Sequence, residues 1–549
     1  MSSVSKSETA FCEYYRFVIG GIVCPLDCNE TEAYNIAAKR VRGAGIDPAQ
    51  IHFKLCKKSI DARKKKDIKQ VFSVSAQLIS GAPFSKKQSE AMMKIASPVD
   101  DSEIEFITGE EKSEHRPLVV GMGPAGLFCA LVLAENGYRP IIIDRGDAVK
   151  TRILKTRAFA QSGELDTESN VQFGAGGAGT FSDGKLVTRI GDPKTGYVLR
   201  RFFDFGAPED ILFSAKPHIG TDLLVDIVDR MLLEIERLGG EVRYRCRLDS
   251  ITEMPDKSVK AITSCGDIVC SSVVLAIGHS ARDTYDMLMK KGFAVEAKPF
   301  SVGVRIEHLA DDIDKALYGD FAGHRNLGRA EYHLSDTSSG RGVYTFCMCP
   351  GGEVVAAASD EGTVLVNGMS NRARDGKNSN SAVLVTVRPS DFGSTPKAAI
   401  EYQHSLERKA FAAGGGDYSA PVQTVGDFFD GKSASEPGRI LPTYAGGRVR
   451  AARLDNMFED YVTSELKRGL VSFDKKISGF SASDAVLTGV ETRSSAPLRI
   501  LRTENMCALA RPEVYPCGEG AGYAGGITSA AVDGIRTALA IMKRFAPLD

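Results

Sequence analysis

Residues 118–126 read Leu-Val-Val-Gly-Met-Gly-Pro-Ala-Gly, and the fold turns on them. Three apolar β-formers run into GxGxxG and then into a helical pattern. Gly121 permits the tight turn, Gly123 lets the backbone approach a pyrophosphate, and Gly126 allows close helix–sheet packing. The amides of a helix N-terminus then face the anion. Leu127, Ala130, Leu131 and Ala134 recur at helical spacing, predicting one apolar face for the sheet, and Gly137 stands where a C-terminal cap belongs. Ile141, Ile142 and Ile143 form a second strand ending in Asp144, eighteen residues past Gly126, where a carboxylate can accept both ribose hydroxyls. The unit is a dinucleotide binder. By itself it leaves FAD and NAD open, and Arg145 can be read as a partner for the extra phosphate of NADP.

Around this unit lies a chain of 549 residues, enough for two or three domains, with 69 basic and 70 acidic side chains. That balance gives no overall field for a polyanion or a membrane surface. The uncharged run 117–134 has the length of a short membrane span, but Gly121, Gly123, Pro124 and Gly126 interrupt it, so a buried strand, turn and helix is expected. Residues 17–26 are apolar without the basic lead or cleavage site of a secretory signal. Twelve scattered cysteines suit a reducing compartment and lack metal-ligand spacing. A cytoplasmic location and no metal are expected.

Residues 12–100 read as a small α+β unit: a strand at 14–23, a helix at 30–43, strands at 51–57 and 70–78, and a helix at 85–96. The order βαββα predicts a ferredoxin-like module. Asp100, Asp101, Glu103, Glu105, Glu110 and Glu111, followed by Pro117, mark a polar crossing, with the boundary near 110. Between Lys54 and Lys69, KLCKKSIDARKKKDIK concentrates positive charge, either as a docking surface for RNA or an acidic partner or as a solvated turn.

Three later segments separate the dinucleotides. VVLAIG (273–278) resembles the Ala-Thr-Gly turn of glutathione-reductase-type flavoproteins, with Ile277 in place of threonine. VYPCGEG (514–520) and Gly525-Gly526-Ile527-Thr528 resemble the segment that in those proteins returns to the first domain. There a carboxylate bonds the ribityl chain, and Glu519 stands for the commoner aspartate. GAGGAGTFSDGK (174–185) offers small residues whose amides can reach an anion or a flat ring. Together they favour FAD. The candidate cofactor contacts are Gly121, Gly123, Pro124, Ala125, Gly126, Asp144, Arg145, Gly176, Gly177, Gly179, Thr180, Ser182, Lys185, Leu248, Ala276, Gly278, Gly518, Glu519, Gly525, Gly526, Ile527 and Thr528.

VQFGAGGAGTFSDGKL, LAIGHSARDT, FSVGVRIEH, TFCMCPGGEVVAA, NGMSNRARDG, VETRSSAPLRI, CGEGAGYAGGITSAAVDG and the N-terminal KKSIDARKK resemble, over nearly the whole chain, the poorly characterised, mainly bacterial family of FAD-dependent dehydrogenases. Its superfamily includes geranylgeranyl reductases and tRNA-modifying flavoproteins, so the resemblance implies fold and cofactor without a substrate. The expected fold is α/β with α+β. A Rossmann-type FAD-binding domain (111–285 and 505–549) carries an inserted β-rich substrate domain (286–504), and the ferredoxin-like module (1–110) precedes it. The expected function is a flavin-dependent oxidoreductase moving a hydride between flavin and a small molecule. No second strand-GxGxxG-helix follows residue 150, so NAD(P)H is expected at most as a transient donor. A tRNA-modifying flavoprotein and a non-catalytic FAD-binding scaffold or sensor are the rival readings, told apart by salt-sensitive RNA binding and by flavin that no reductant turns over.

Candidates for the chemistry are sparse. Cys265 and Cys270 have the CxxxxC spacing of a disulfide reductase but flank Gly266-Asp267, the expected turn of a hairpin, away from the glycine segments. Cys347 and Cys349 end a β-like run, and alternate residues of a strand share a face, so both thiols can address one pocket or pack as small core residues. Arg305, alternating with apolar neighbours on a strand with one wet face, can anchor a carboxylate or phosphate, or pair with Glu307. Tyr523 and Lys185 lie in cofactor-facing segments. His279 is expected near cofactor phosphate rather than as a general base.

Overall fold

The computed structural model describes residues 14–99, 104–432 and 435–548, so Asp100, Asp101 and Glu103 of the acidic crossing lie outside the described residues. The chain divides into two compact units.

The first comprises the N-terminal segment to Glu105 with Glu209–Pro217 and Tyr318–Gly328. Strands Arg16–Pro25, Ile51–Asp61, Lys69–Leu78 and Ser97–Pro98 form one antiparallel sheet, in the order Ile51–Asp61, Lys69–Leu78, Arg16–Pro25, Ser97–Pro98. The short last strand has no counterpart in the sequence expectation. Helix Glu30–Gly43 is capped by Asn29, whose side chain accepts from the Glu32 amide. Ala33, Ala37 and Val41 recur every fourth residue and bury one stripe beside Phe17, Ile19, Phe72 and Val74. Lys64, Lys65 and Lys66 sit in the exposed turn between Asp61 and Lys69.

The second unit is mixed α/β. Its five-stranded parallel sheet has the order Val514–Pro516, Val273–Leu275, Leu118–Val120, Ile141–Ile143, Glu241–Arg243. The first four strands are fully apolar or nearly so, as strands covered on both faces must be. Helix Pro124–Glu135 packs against Ile527–Arg544 and Thr221–Arg237. The expected single apolar face is therefore an underestimate: every residue from Ala125 to Ala134 is buried, because helices as well as sheet surround it. Among the described residues no helix is long and apolar enough to cross a membrane.

The unit's other large sheet has seven strands, with Phe300–Leu309 in the middle between Asn378–Val387 and Val486–Glu491. Strand Val343–Cys349 lies beyond Asn378–Val387. Phe300–Leu309 is buried on both faces, which corrects the expectation of one wet face. A small antiparallel sheet joins Leu248–Glu253, Val259–Thr263 and Gly266–Cys270. Its hairpin turn is Ser264-Cys265 rather than Gly266-Asp267, which already belong to the strand. Cys265 is exposed there and Cys270 buried.

Candidate functional site

The C-terminal ends of the central parallel strands open on a cavity of about 350 Å³. At Gly121 the chain turns with φ +104, and a Cβ there would stand 2.2 Å from the carbonyl oxygen of Ala276, so only glycine fits. Asp144 holds this turn: one carboxylate oxygen accepts from the Met122 amide at 2.8 Å and the other from the Gly146 amide at 2.9 Å. Helix Pro124–Glu135 begins at Gly123 without a side-chain cap and with Pro124 in its first turn, leaving amides directed at the cavity.

Residues 174–185 make the adjacent wall. The Gly176 amide donates to the Met122 carbonyl at 2.8 Å. Arg152, fully buried, anchors this loop from beneath: its guanidinium donates to the carbonyls of Asn170, Val171, Ala175 and Gly177 at 2.6–2.8 Å and stacks over Phe181. Ala276 and Gly278 form the third wall. The fourth is the return segment, where helix Ile527–Arg544 also starts without a side-chain cap, at Gly526. His279 and Glu519 meet across these walls, Nδ1 to Oε1 at 3.4 Å, and the buried Nε2 of His279 has no hydrogen-bond partner among the described residues.

The far end of the cavity is built by the seven-stranded sheet and its neighbours: Phe346, Cys347, Asn367, Glu491, Arg493 and Ser494, with Lys185 beside them. Lys185 donates to Asp183 and to the Met348 carbonyl. Burial would pull its ammonium down, but Asp183 outweighs this and holds it above the ordinary lysine range. Glu491 is 3 % exposed, and its Oε2 has no hydrogen bond among the described residues. Burial pushes this carboxyl up to about 7, against the pull of Arg305, whose Nε stands 3.4 Å away. Arg493 is neutralised by Glu407, which also receives two bonds from Arg282; Asp360 completes the cluster.

Most of the residues singled out by sequence meet at this cavity: Gly121, Gly123, Pro124, Ala125, Asp144, Arg145, Gly177, Gly179, Ser182, Lys185, Leu248, Ala276, Gly278, Glu519, Gly525, Gly526, Ile527 and Cys347 line it. Gly126, Gly176, Thr180, Gly518 and Thr528 stand behind the lining. Gly126 presses on the Gly121 carbonyl, and the Thr528 hydroxyl donates to the Leu186 carbonyl. Arg145 is not free for an extra phosphate: its guanidinium is committed to Glu168 and Asp283 and lies over Phe173. Arg305 is fully buried outside the lining and pairs with Glu491 rather than Glu307, whose carboxylate accepts from Thr443 and Asn378. Tyr523 does not line the cavity; Arg502 covers its ring at 3.7 Å. Cys349 lies behind Cys347, and the strand alternation expected to align them is broken by a bulge between Phe346 and Cys349.

Glu491, Arg493 and Arg152 were not singled out by sequence. The first two lie in VETRSSAPLRI, a segment that carried the family resemblance without pointing to any one residue, and Arg152 sits in a helix with three other basic residues.

Two helix N-termini without side-chain caps, two glycines whose missing Cβ faces open space (Gly278 and Gly525) and an unpartnered ring nitrogen on His279 fit a bound anionic dinucleotide. Residues 299–494 match the family model described as "FAD-dependent protein, C-terminal domain-like", and residues 21–77 match a domain of unknown function. A protein of Clostridium beijerinckii named only as uncharacterized is 48% identical over 499 residues, covering 89% of this chain and 92% of its own. Among solved structures, CtdE in complex with FAD is 10% identical, covering 78% of this chain and 84% of its own at a TM-score of 0.30. NikD, an unusual amino acid oxidase, is 12% identical, covering 78% and 94% at 0.31. Likenesses this low carry no argument. The cofactor of this chain is FAD.

Proposed function

This chain belongs to one family with the Clostridium beijerinckii protein, and from that premise we propose that it is an FAD-dependent oxidoreductase acting on a small molecule. The observation that carries the reading is the two-ended character of the cavity. One end is backbone: glycines and helix N-termini suited to a dinucleotide. The other is side chain: Cys347, Glu491 and Lys185, ionisable groups that a cofactor cradle does not need.

In this reading the parallel sheet, with residues 111–285 and 505–549, is a glutathione-reductase-type FAD domain. Residues 286–504 are an inserted substrate domain, and the N-terminal antiparallel sheet is a ferredoxin-like module. Glycines 121, 123 and 177 with the Pro124 helix hold the pyrophosphate, Asp144 the ribose, Glu519 the ribityl chain, and the Ile527 helix N-terminus the flavin pyrimidine.

When bound, FAD supplies the two-electron chemistry. The chain's own side chains orient the substrate and handle its proton. Lys185, kept charged by Asp183, attracts an anionic group. Glu491, poised near neutrality in a dry setting, takes the proton at Oε2 as the substrate is oxidised. NADH or NADPH serves at most as a transient donor.

The test is to purify the protein, identify its flavin, and titrate it anaerobically with NADH, NADPH and a metabolite panel while following the flavin spectrum. Bleaching by a small-molecule donor supports the reading. A colourless protein that also refuses added FAD would overturn it.

A further inference from the structure

Strand Val343–Cys349 does not end as a regular strand. Its pairing with Asn378–Val387 slips between Phe346 and Cys349, and Cys347 adopts φ +42, a left-handed conformation that a residue with a side chain rarely takes. Such strain persists only where the surroundings enforce it. The bulge turns Cys349 back on Cys347, and its Sγ donates to the Cys347 carbonyl oxygen at 3.3 Å. Cys347 lines the cavity, whereas Cys349 is completely buried behind it.

Two cations are fastened to this same turn. Arg305 donates through Nη2 to the Cys347 carbonyl at 2.7 Å, and Lys185 donates to the Met348 carbonyl. The Nε and Nη1 of Arg305 make no hydrogen bond among the described residues although the side chain is fully buried, and the carboxylate paired with it is Glu491, 3.4 Å from Nε. A buried thiol normally resists ionisation. Here the neighbouring Cys349 thiol, with the charges of Arg305 and Lys185, holds Cys347 below the ordinary thiol range, and the proximity of Cys347 together with burial pushes Cys349 well up. A structural pair of core cysteines needs no such division into thiolate and thiol.

We propose that Cys347 and Cys349 are a redox-active dithiol–disulfide pair that exchanges electrons with the FAD held in the same cavity. The proposal rests on the cavity being the FAD site. In the oxidising direction the two S–H bonds break and one S–S bond forms between the sulfurs. Two electrons and two protons leave the thiols, and oxidised FAD takes them up as it is reduced. In the other direction reduced FAD returns both, and the S–S bond breaks. Cys347, reachable from the cavity, is the sulfur that meets the cofactor or an incoming thiol, and Cys349 is the resolving partner.

The experiment uses the full-length holoprotein, oxidised and then titrated anaerobically with dithionite until the flavin is bleached. Samples are alkylated before and after, and the peptide carrying residues 347–349 is examined by mass spectrometry. The expected result is a Cys347–Cys349 disulfide before titration and two alkylated cysteines after it. Wild type should consume twice the reducing equivalents per flavin that C349S consumes, since each centre is a two-electron couple. Both cysteines alkylated in the oxidised wild type, with the same consumption as C349S, would overturn the proposal while leaving the flavin in place. The peptide map needs only wild type, so a C349S that failed to fold would not protect the idea. A protein without flavin, whose disulfide no reductant couples to a chromophore, would overturn both this proposal and the reading beneath it.

Discussion

Gly177 and Gly123 approach so closely that a Cβ built on Gly177 would stand 2.9 Å from the Cα of Gly123. The glycine loop and the dinucleotide turn are thus fitted backbone to backbone, and Gly177 also needs φ +63. Gly177→Ala should separate the two walls and weaken FAD binding by at least about tenfold, roughly 1.4 kcal/mol. Quenching of flavin fluorescence on titrating apoprotein measures this. Unaltered affinity would mean that the loop is not part of the cofactor cradle.

From a fully buried position Arg152 gathers the carbonyls of Asn170, Val171, Ala175 and Gly177, in and just before that loop. Arg152→Gln reaches at most one or two of them, and each buried acceptor left without a donor costs about 1–3 kcal/mol. The expected outcome is local: faster amide exchange and proteolysis across residues 170–185, with the N-terminal sheet unaffected. Hydrogen exchange read by mass spectrometry resolves the two regions.

Glu407 is buried between Arg282 and Arg493. Burial alone would raise its carboxyl, but the two guanidinium groups outweigh it and hold Glu407 far below the usual carboxylate range. A depressed folded-state value means that the stabilisation is complete above the unfolded value of about 4.3 and is lost as the pH falls below it. Wild type should therefore lose stability on acidification below about pH 4.3. Glu407→Gln should be less stable by about 3–5 kcal/mol at neutral pH, because two buried cations are left to share the single carboxylate of Asp360, and its deficit should shrink in acid. Denaturant unfolding at several pH values provides the comparison.

Glu491 has the opposite sign. Burial raises it to about 7, so it is protonated below that pH and a base above it. Flavin reduction by the substrate should accelerate as the pH rises through about 7. Glu491→Gln should flatten that limb and slow the step by about 10²–10⁴-fold. Stopped-flow absorbance reads both. A pH inflection that persists in the variant would remove Glu491 from the proton step.

The glycine-lined end of the cavity was legible in the sequence because its determinants are local. Gly121 and Gly123 act through backbone and Asp144 through a carboxylate that accepts from backbone amides, all within a single strand–helix–strand unit, and the spacing that builds the turn is also the spacing that reports it. The opposite end was not. Glu491 meets Arg305 only through the register of strands distant in sequence, and Glu407, Arg282 and Arg493 converge across 125 and 86 positions. Alternation misled at Arg305 because the strand carrying it is central to a sheet covered on both faces, where period two no longer distinguishes wet from dry. At Cys347 a single bulge undid the parity argument that aimed both thiols at one pocket: Cys347 lines the cavity and Cys349 does not. Helix Pro124–Glu135 failed in a milder way: four spaced apolar residues predicted one face, whereas the residues between them are apolar too and are buried by other helices.

The pairing of Val514–Pro516 with Val273–Leu275 has a consequence for biosynthesis. An edge strand of the central sheet and one of the two helix N-termini at the cavity are synthesised after the residues that build its other walls. A nascent chain that has already folded its N-terminal sheet and the dinucleotide turn still lacks a wall of its cavity. That cavity is complete only once the segment from Val514 to Ile527 has folded back onto the dinucleotide turn, so its assembly waits on a contact between parts of the chain about 400 residues apart.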